Sequence, residues 1–163
     1  MSSVEDRLIK VEAELAIRNV IARYGLAADC GDVETALTCH TMDAVYLVSD
    51  PNSGRERRQA ADLELRGHEA IKRMLTTERH QSLLPNCAHT VGPLVVDVDG
   101  KNARALGYSR VFNQVEKQPH LMRVAFNHWK MRREDGLWKI SRRESRVMGE
   151  DAAQEMLKRE LAQ

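Results

Sequence analysis

The run Asp135-Gly136-Leu137-Trp138-Lys139-Ile140-Ser141-Arg142-Arg143 constrains the fold more than any other stretch. Asp-Gly is a tight-turn dipeptide because both residues tolerate positive φ. The strand after it carries Trp138 and Ile140 on one face, because side chains alternate along a strand. Arg142, Glu144 and Arg146 continue that parity, so the face begins apolar and ends charged. The expectation is that Trp138 and Ile140 pack on helices. Arg142 and Glu144 then belong to a subunit interface, and Arg146 stands near a cavity. A second turn, Asp99-Gly100, ends the strand Leu94–Asp99. Asn102 to Val115, Leu121 to Arg133 and Trp138 to Met148 read as three more strands. Consecutive strands joined by short turns pair antiparallel.

The first half of the chain has a different period. From Val4 to Ala28, apolar residues recur at Leu8, Val11, Leu15, Ile17, Val20, Ile21, Tyr24 and Ala28 with charges between them, which is helical spacing. The stretch reads as one helix, or as a short lead-in helix and a longer second one with a break near Leu15–Ala16. Gly31-Asp32 stops this helix and caps a short one over Val33 to Cys39, since Gly suits a helix end and Asp accepts exposed N–H groups. Ala44 to Val48 is a short strand, followed by the loop signal Asp50-Pro51-Asn52-Ser53-Gly54. Arg55 to Arg66 reads as loop or partly helical, a surface insertion or a flap. Gly67 to Arg79 reads as helix on Ile71, Met74 and Leu75, and Asp151 to Leu161 as a closing helix. Helices first and strands later give an α+β fold of one domain, residues 1–163. Its helices lie on one face of a curved antiparallel or mixed sheet. Such a sheet wrapped around N-terminal helices leaves a cone-shaped barrel with a central pocket, suited to a small ligand.

The charge balance, 25 basic against 24 acidic residues, offers no reason to expect nucleic acid or an anionic membrane as partner. No apolar run approaches the ~20 residues of a membrane span, and Met1 to Lys10 lacks the apolar core of a signal peptide, so a cytoplasmic protein is expected. Three cysteines, Cys30, Cys39 and Cys87, show no metal-type spacing, and the six histidines form no H-x-x-x-H pair. Neither a metal nor a disulfide is expected.

Several segments, taken together, resemble a known family. Ala16 to Tyr24, followed by Asp29 and Gly31-Asp32, resembles the opening helix of SnoaL-like proteins of the nuclear transport factor 2-like superfamily. Asp43-Ala44-Val45-Tyr46 resembles its first strand, and Gly67-His68-Glu69-Ala70-Ile71 its middle helix. Cys87-Ala88-His89-Thr90-Val91 with Val98 to Ala105 resembles the segment carrying a pocket histidine. Asp135 to Ile140 resembles its last turn and strand. The tail from Ser141 to Asp151 also resembles the small subunits of ring-hydroxylating dioxygenases, which are structural partners. The fold hosts many activities, so the likeness implies a fold more firmly than a reaction.

What the resemblance implies about chemistry centres on scytalone-dehydratase and bile-acid-dehydratase types. By position, Asp29 and His89 match a catalytic dyad, and Tyr24 a helix tyrosine. A neutral histidine is a base suited to neutral pH. A carboxylate on its other nitrogen fixes the tautomer and stabilises the imidazolium. A tyrosine hydroxyl can donate to a substrate oxygen. Each also has a structural alternative: Tyr24 as core, Asp29 as a partner of local backbone, His89 as a backbone-bonded strand residue. Tyr24 and Asp29 lie about 140° apart on an ideal helix, so they do not share a face.

Substrate-binding candidates are Arg146, Tyr46, Asn127 and Trp129. Arg123, Asn127 and Trp129 share one strand face, and Met122, Phe126 and His128 the other; the pattern does not choose between them. For Arg146 the alternative is an ion pair with Glu144 or Glu150. The acid that some dehydratase relatives carry on the second long strand is absent, since Gly107-Tyr108-Ser109-Arg110 stands there. The expected function is cofactor-independent lyase or isomerase chemistry on a small hydrophobic cyclic or aromatic molecule. The alternative is a non-catalytic binder or an oxygenase small subunit. A homodimer or homotrimer through the sheet is expected.

Overall fold

The computed structural model describes residues 3–49 and 63–162. Helix α1 (Val4–Cys30) starts in a capping box: Ser3 Oγ accepts from the Asp6 amide at 3.0 Å, and the Ser3 amide donates to Asp6 Oδ2 at 2.9 Å. It ends where Gly31 takes φ 73°, a left-handed conformation that favours glycine. Asp32 then caps α2 (Val33–Thr38) by accepting from the Thr35 amide at 3.0 Å. Strands β1 (His40–Val48) and β2 (Leu63–Arg66) pair antiparallel, so the end of the expected loop is strand. The rest of that loop, 50–62, lies outside the described residues. Helices α3 (Gly67–Leu75) and α4 (Glu78–Gln81) follow, then β3 (Cys87–Asp99), β4 (Asn102–Val115), β5 (Gln118–Glu134), β6 (Leu137–Val147) and α5 (Asp151–Leu161).

The six strands form one sheet in the order β2-β1-β6-β5-β4-β3. All neighbours are antiparallel except β1 and β6, which are parallel. The sheet curves around the N-terminal helices and stays open, with β2 and β3 as its edges. On the concave side α1 packs on β3 and β6, and α3 on β1. Ala13, Ile17, Ile21, Tyr24 and Ala28 of α1 are buried there beside Trp129, Met131, Trp138 and Ile140. Burying an aliphatic side chain such as Ile17 or Ile21 contributes about 1.5–3 kcal/mol.

Two expectations are corrected. Helix α1 does not break at Leu15–Ala16. It runs on, but its first turns have no sheet beneath them, and Leu8, Val11 and Leu15 are exposed rather than core. Nor are all helices on one face. Helix α5 covers the convex side, where Met156 is buried with Leu106 and Phe126.

Candidate active site

Between α1, α3, α4 and the concave sheet lies a cavity of about 340 Å³. Its body is apolar and aromatic, with Ile21, Tyr24, Tyr46, Trp129 and Val91 in the wall. Histidines and arginines stand among them.

His89 enters this cavity from β3. It can lie so close to α1 because position 25 is glycine: a Cβ there would meet the His89 carbonyl oxygen at 3.3 Å. Asp29, on the last turn of α1, takes three hydrogen bonds from β3. His89 Nδ1 lies 2.5 Å from Asp29 Oδ1, the His89 amide donates to Oδ2 at 2.7 Å, and Cys87 Sγ donates to Oδ1 at 3.5 Å. Burial works to raise the Asp29 pKa, but the bonds from the His89 ring and amide, the His89 charge and the Cys87 thiol outweigh it. The carboxyl is held below its usual value and is ionised. An ionised acceptor on Nδ1 fixes the proton there and leaves Nε2 as the basic nitrogen. The 140° between Tyr24 and Asp29 is no obstacle, because His89 bridges from the carboxylate to the cavity.

The ligand-type atoms of Asp29, Cys87 and His89 lie within 4.8 Å of one another. Their mutual hydrogen bonds account for that closeness. Burial and the Asp29 charge push the Cys87 thiol up to about 11, so it is a protonated donor rather than a thiolate ligand.

Tyr24 and Tyr46 both line the cavity, with ring centroids 6.4 Å apart. Burial raises the Tyr24 pKa well above its ordinary value, with a hydrogen bond to Tyr46 adding to it, so its hydroxyl keeps its proton. Trp129 forms the floor and is buried. Asn127 is fully buried behind the wall rather than in it. Its amide donates to Ser109 Oγ at 2.8 Å, and its Oδ1 accepts from Arg143 Nε at 2.9 Å.

Arg146 is not in the cavity. It lies on the convex side and donates to Glu144 Oε1 at 2.9 Å and 3.1 Å, the ion-pair alternative. The reason is a bulge. Lys130 faces Arg142 but Met131 faces Ile140, so Ser141 is an extra residue and the parity of β6 flips there. Arg143 and Ser145, rather than Arg142, Glu144 and Arg146, therefore continue the face begun by Trp138 and Ile140.

The residue brought in by this flip is Arg143. Its guanidinium carbon sits 4.8 Å from the Tyr46 ring centroid, 5.6 Å from Trp129 and 5.8 Å from Tyr24. These are cation–π distances. It also donates to the Tyr46 hydroxyl oxygen. Arg123, His80 and Ser109 line the cavity as well. Arg123 was visible in the sequence as a face-mate of Asn127 and Trp129; Arg143 was hidden by the bulge.

The fold is α+β, a sheet curved around a long helix, and its cavity has His89 in the wall with Asp29 behind it. The chain belongs to the SnoaL-like domain family, whose model matches residues 10–144. It is similar to an NTF2-like protein with a cystatin-like fold from Novosphingobium aromaticivorans. That likeness has 32% identity and a TM-score of 0.82, covering 96% of this chain and 98% of the other. A candidate scytalone dehydratase from the same organism aligns at 18% identity and TM-score 0.68, over 85% of each chain. A candidate aromatic ring hydroxylase, also from that organism, aligns at 20% identity and TM-score 0.61, covering 91% of this chain and 92% of the other. No curated protein matches the chain. No described helix is long and apolar enough to cross a membrane.

Proposed function

We propose that the cavity is the active site of a cofactor-independent lyase or isomerase of the dehydratase type, acting on a small hydrophobic cyclic or aromatic molecule. The observation that carries this reading is His89 in the wall of a cavity shared with Tyr24, with Asp29 behind it at 2.5 Å from Nδ1. His89 Nε2 takes a proton from carbon next to a substrate carbonyl. The C–H electrons form the new double bond, the C–O bond breaks, and the proton on His89 passes to the leaving hydroxyl as water. Asp29 holds the tautomer and stabilises the imidazolium in between. Tyr24 lines the same cavity, and its protonated hydroxyl turns to donate to the substrate oxygen.

The experiment is to incubate the protein with hydroxylated cyclic ketones and follow loss of water by mass spectrometry. General-base catalysis contributes about 10²–10⁴-fold, so His89→Ala should lower turnover by that order. Full turnover by His89→Ala sinks the base assignment. Binding without turnover by the wild type favours the second reading, a non-catalytic binder or oxygenase small subunit, which rests on the tail Ser141 to Asp151.

The same reading includes self-association through the sheet as a homodimer or homotrimer. Val95 and Tyr108 support it, as large apolar side chains left exposed on the convex side beyond α5. A cytoplasmic location remains part of the proposal.

A further inference from the structure

We infer that the molecule bound in this cavity carries a carboxylate, held between the guanidinium groups of Arg143 and Arg123. This deepens the reading of the cavity as a ligand site, and it narrows the substrate class to small aromatic or cyclic acids.

The argument begins with charge. Among the described residues lining the cavity there is no aspartate or glutamate, yet Arg79, Arg123 and Arg143 all line it, the last two from adjacent strands of the concave face. Guanidinium is a permanent cation. A buried cation with no anion costs several kcal/mol, and a purely structural arginine avoids that by pairing with a carboxylate. Arg143 instead has neutral partners: Asn127 Oδ1 on Nε, the Tyr46 hydroxyl on one terminal nitrogen, and three aromatic faces around it. Those contacts fix the plane of the fork and leave N–H groups over, since the side chain has five. A fork held rigid at its base is suited to a planar two-oxygen anion.

Arg123 stands on the next strand, on the same concave face. Among the described residues it donates one long hydrogen bond, 3.4 Å to the Ser49 carbonyl oxygen. Burial lowers its pKa; Tyr46 and Glu150 oppose that, while the Arg143 and Arg79 charges add to it. Two cations that repel each other across a cavity wall are relieved by one anion between them. The rest of the pocket is apolar and aromatic, which suits a ring.

The test is calorimetric titration of the whole protein with 2-naphthoate and with 2-naphthamide, which match in shape and differ in charge. A charge-assisted hydrogen bond contributes enough for wild type to prefer the acid by about tenfold or more. Arg143→Gln should bring the ratio to about one, Arg123→Gln should reduce it, and Arg143→Lys should keep part of it. Equal affinity on wild type overturns the inference, and so does no binding of either probe. An acid preference that survives both glutamine variants also overturns it. The wild-type comparison stands even if a variant fails to fold. His89→Ala separates the two readings. Acid preference kept by a variant that also keeps full dehydration turnover leaves this inference standing and removes the base. Loss of acid preference on wild type with turnover still dependent on His89 does the reverse.

Discussion

His40 shows how strongly burial can act on one side chain. It is almost fully buried at the start of β1, its Nδ1 lies 2.9 Å from the Ala36 carbonyl oxygen, and its ring meets Tyr24 edge-on at 4.8 Å. Among the described residues its Nε2 has no hydrogen-bond partner, as fits a neutral ring donating from Nδ1. Burial lowers its pKa to about 4, with Arg143 and His68 pushing the same way against the Ala36 bond. The unfolded chain therefore takes up the proton near the ordinary 6.5, before the folded chain does. Stability associated with His40 is full above that value and falls as pH drops toward the folded one. The loss is on the order of 3 kcal/mol. In melts at pH 7, 5.5 and 4, wild type should lose this much relative to His40→Gln; parallel curves would count against it. Asp29 follows the sign of a depressed carboxyl: its contribution is present above 3.8 and lost as pH falls through the lower folded value. Asp29→Asn should cost about 1–3 kcal/mol at pH 7, with the gap closing in acid. A constant gap from pH 7 to 3 would mean that the carboxylate charge plays no part.

At the scale of elements, the approach of strands depends on glycine. A Cβ on Gly107 would stand 2.6 Å from Leu94 Cδ2 and 2.9 Å from the Pro93 carbonyl oxygen, where β3 bulges between Val91 and Leu94. The backbone oxygen cannot step aside as a side-chain end can. Gly107→Ala should destabilise the fold by about 1–3 kcal/mol, read as a lower urea midpoint with unchanged m-value. An unchanged midpoint would show that the bulge gives way freely. The same kind of irregularity decides what was legible in the sequence. Helical period, Asp-Gly turns and alternation located nearly every described element, because each of those signals is local. Asp29, His89 and Tyr24 were indicated by the resemblance to SnoaL-like proteins and not by spacing, since a helix end and a strand start 60 residues apart carry no local sign that they meet. Arg143 was not legible. One extra residue at Ser141 inverts the parity of everything after it, and a bulge has no composition of its own. Leu8, Val11 and Leu15 misled for a related reason: spacing shows that a stripe exists, not that a sheet lies beneath it.

For the whole molecule the open question is what meets the convex side of the sheet. Helix α5 covers Leu106 and Phe126, but Val95 beside Leu106 and Tyr108 beside Phe126 remain exposed by 56% and 39%. Next to them a groove of about 830 Å³ runs between α5 and β3–β6, with Arg142, Lys130, Glu144 and Asp97 in its wall. Apolar side chains beside mixed charge suit a surface that pairs with a copy of itself, since each sign finds its opposite across a symmetry axis. The cavity is lined from the other side of the sheet, so association here does not touch its wall. Sedimentation velocity should find the wild type as a dimer or trimer. Val95→Glu with Tyr108→Glu should place two carboxylates in a desolvated contact and shift the species to monomer. That monomer should still bind 2-naphthoate, because neither residue touches the cavity wall. A wild-type monomer at micromolar concentration would sink the interface. A monomeric double variant that no longer binds would show instead that the sheet needs its partner to hold the pocket in shape.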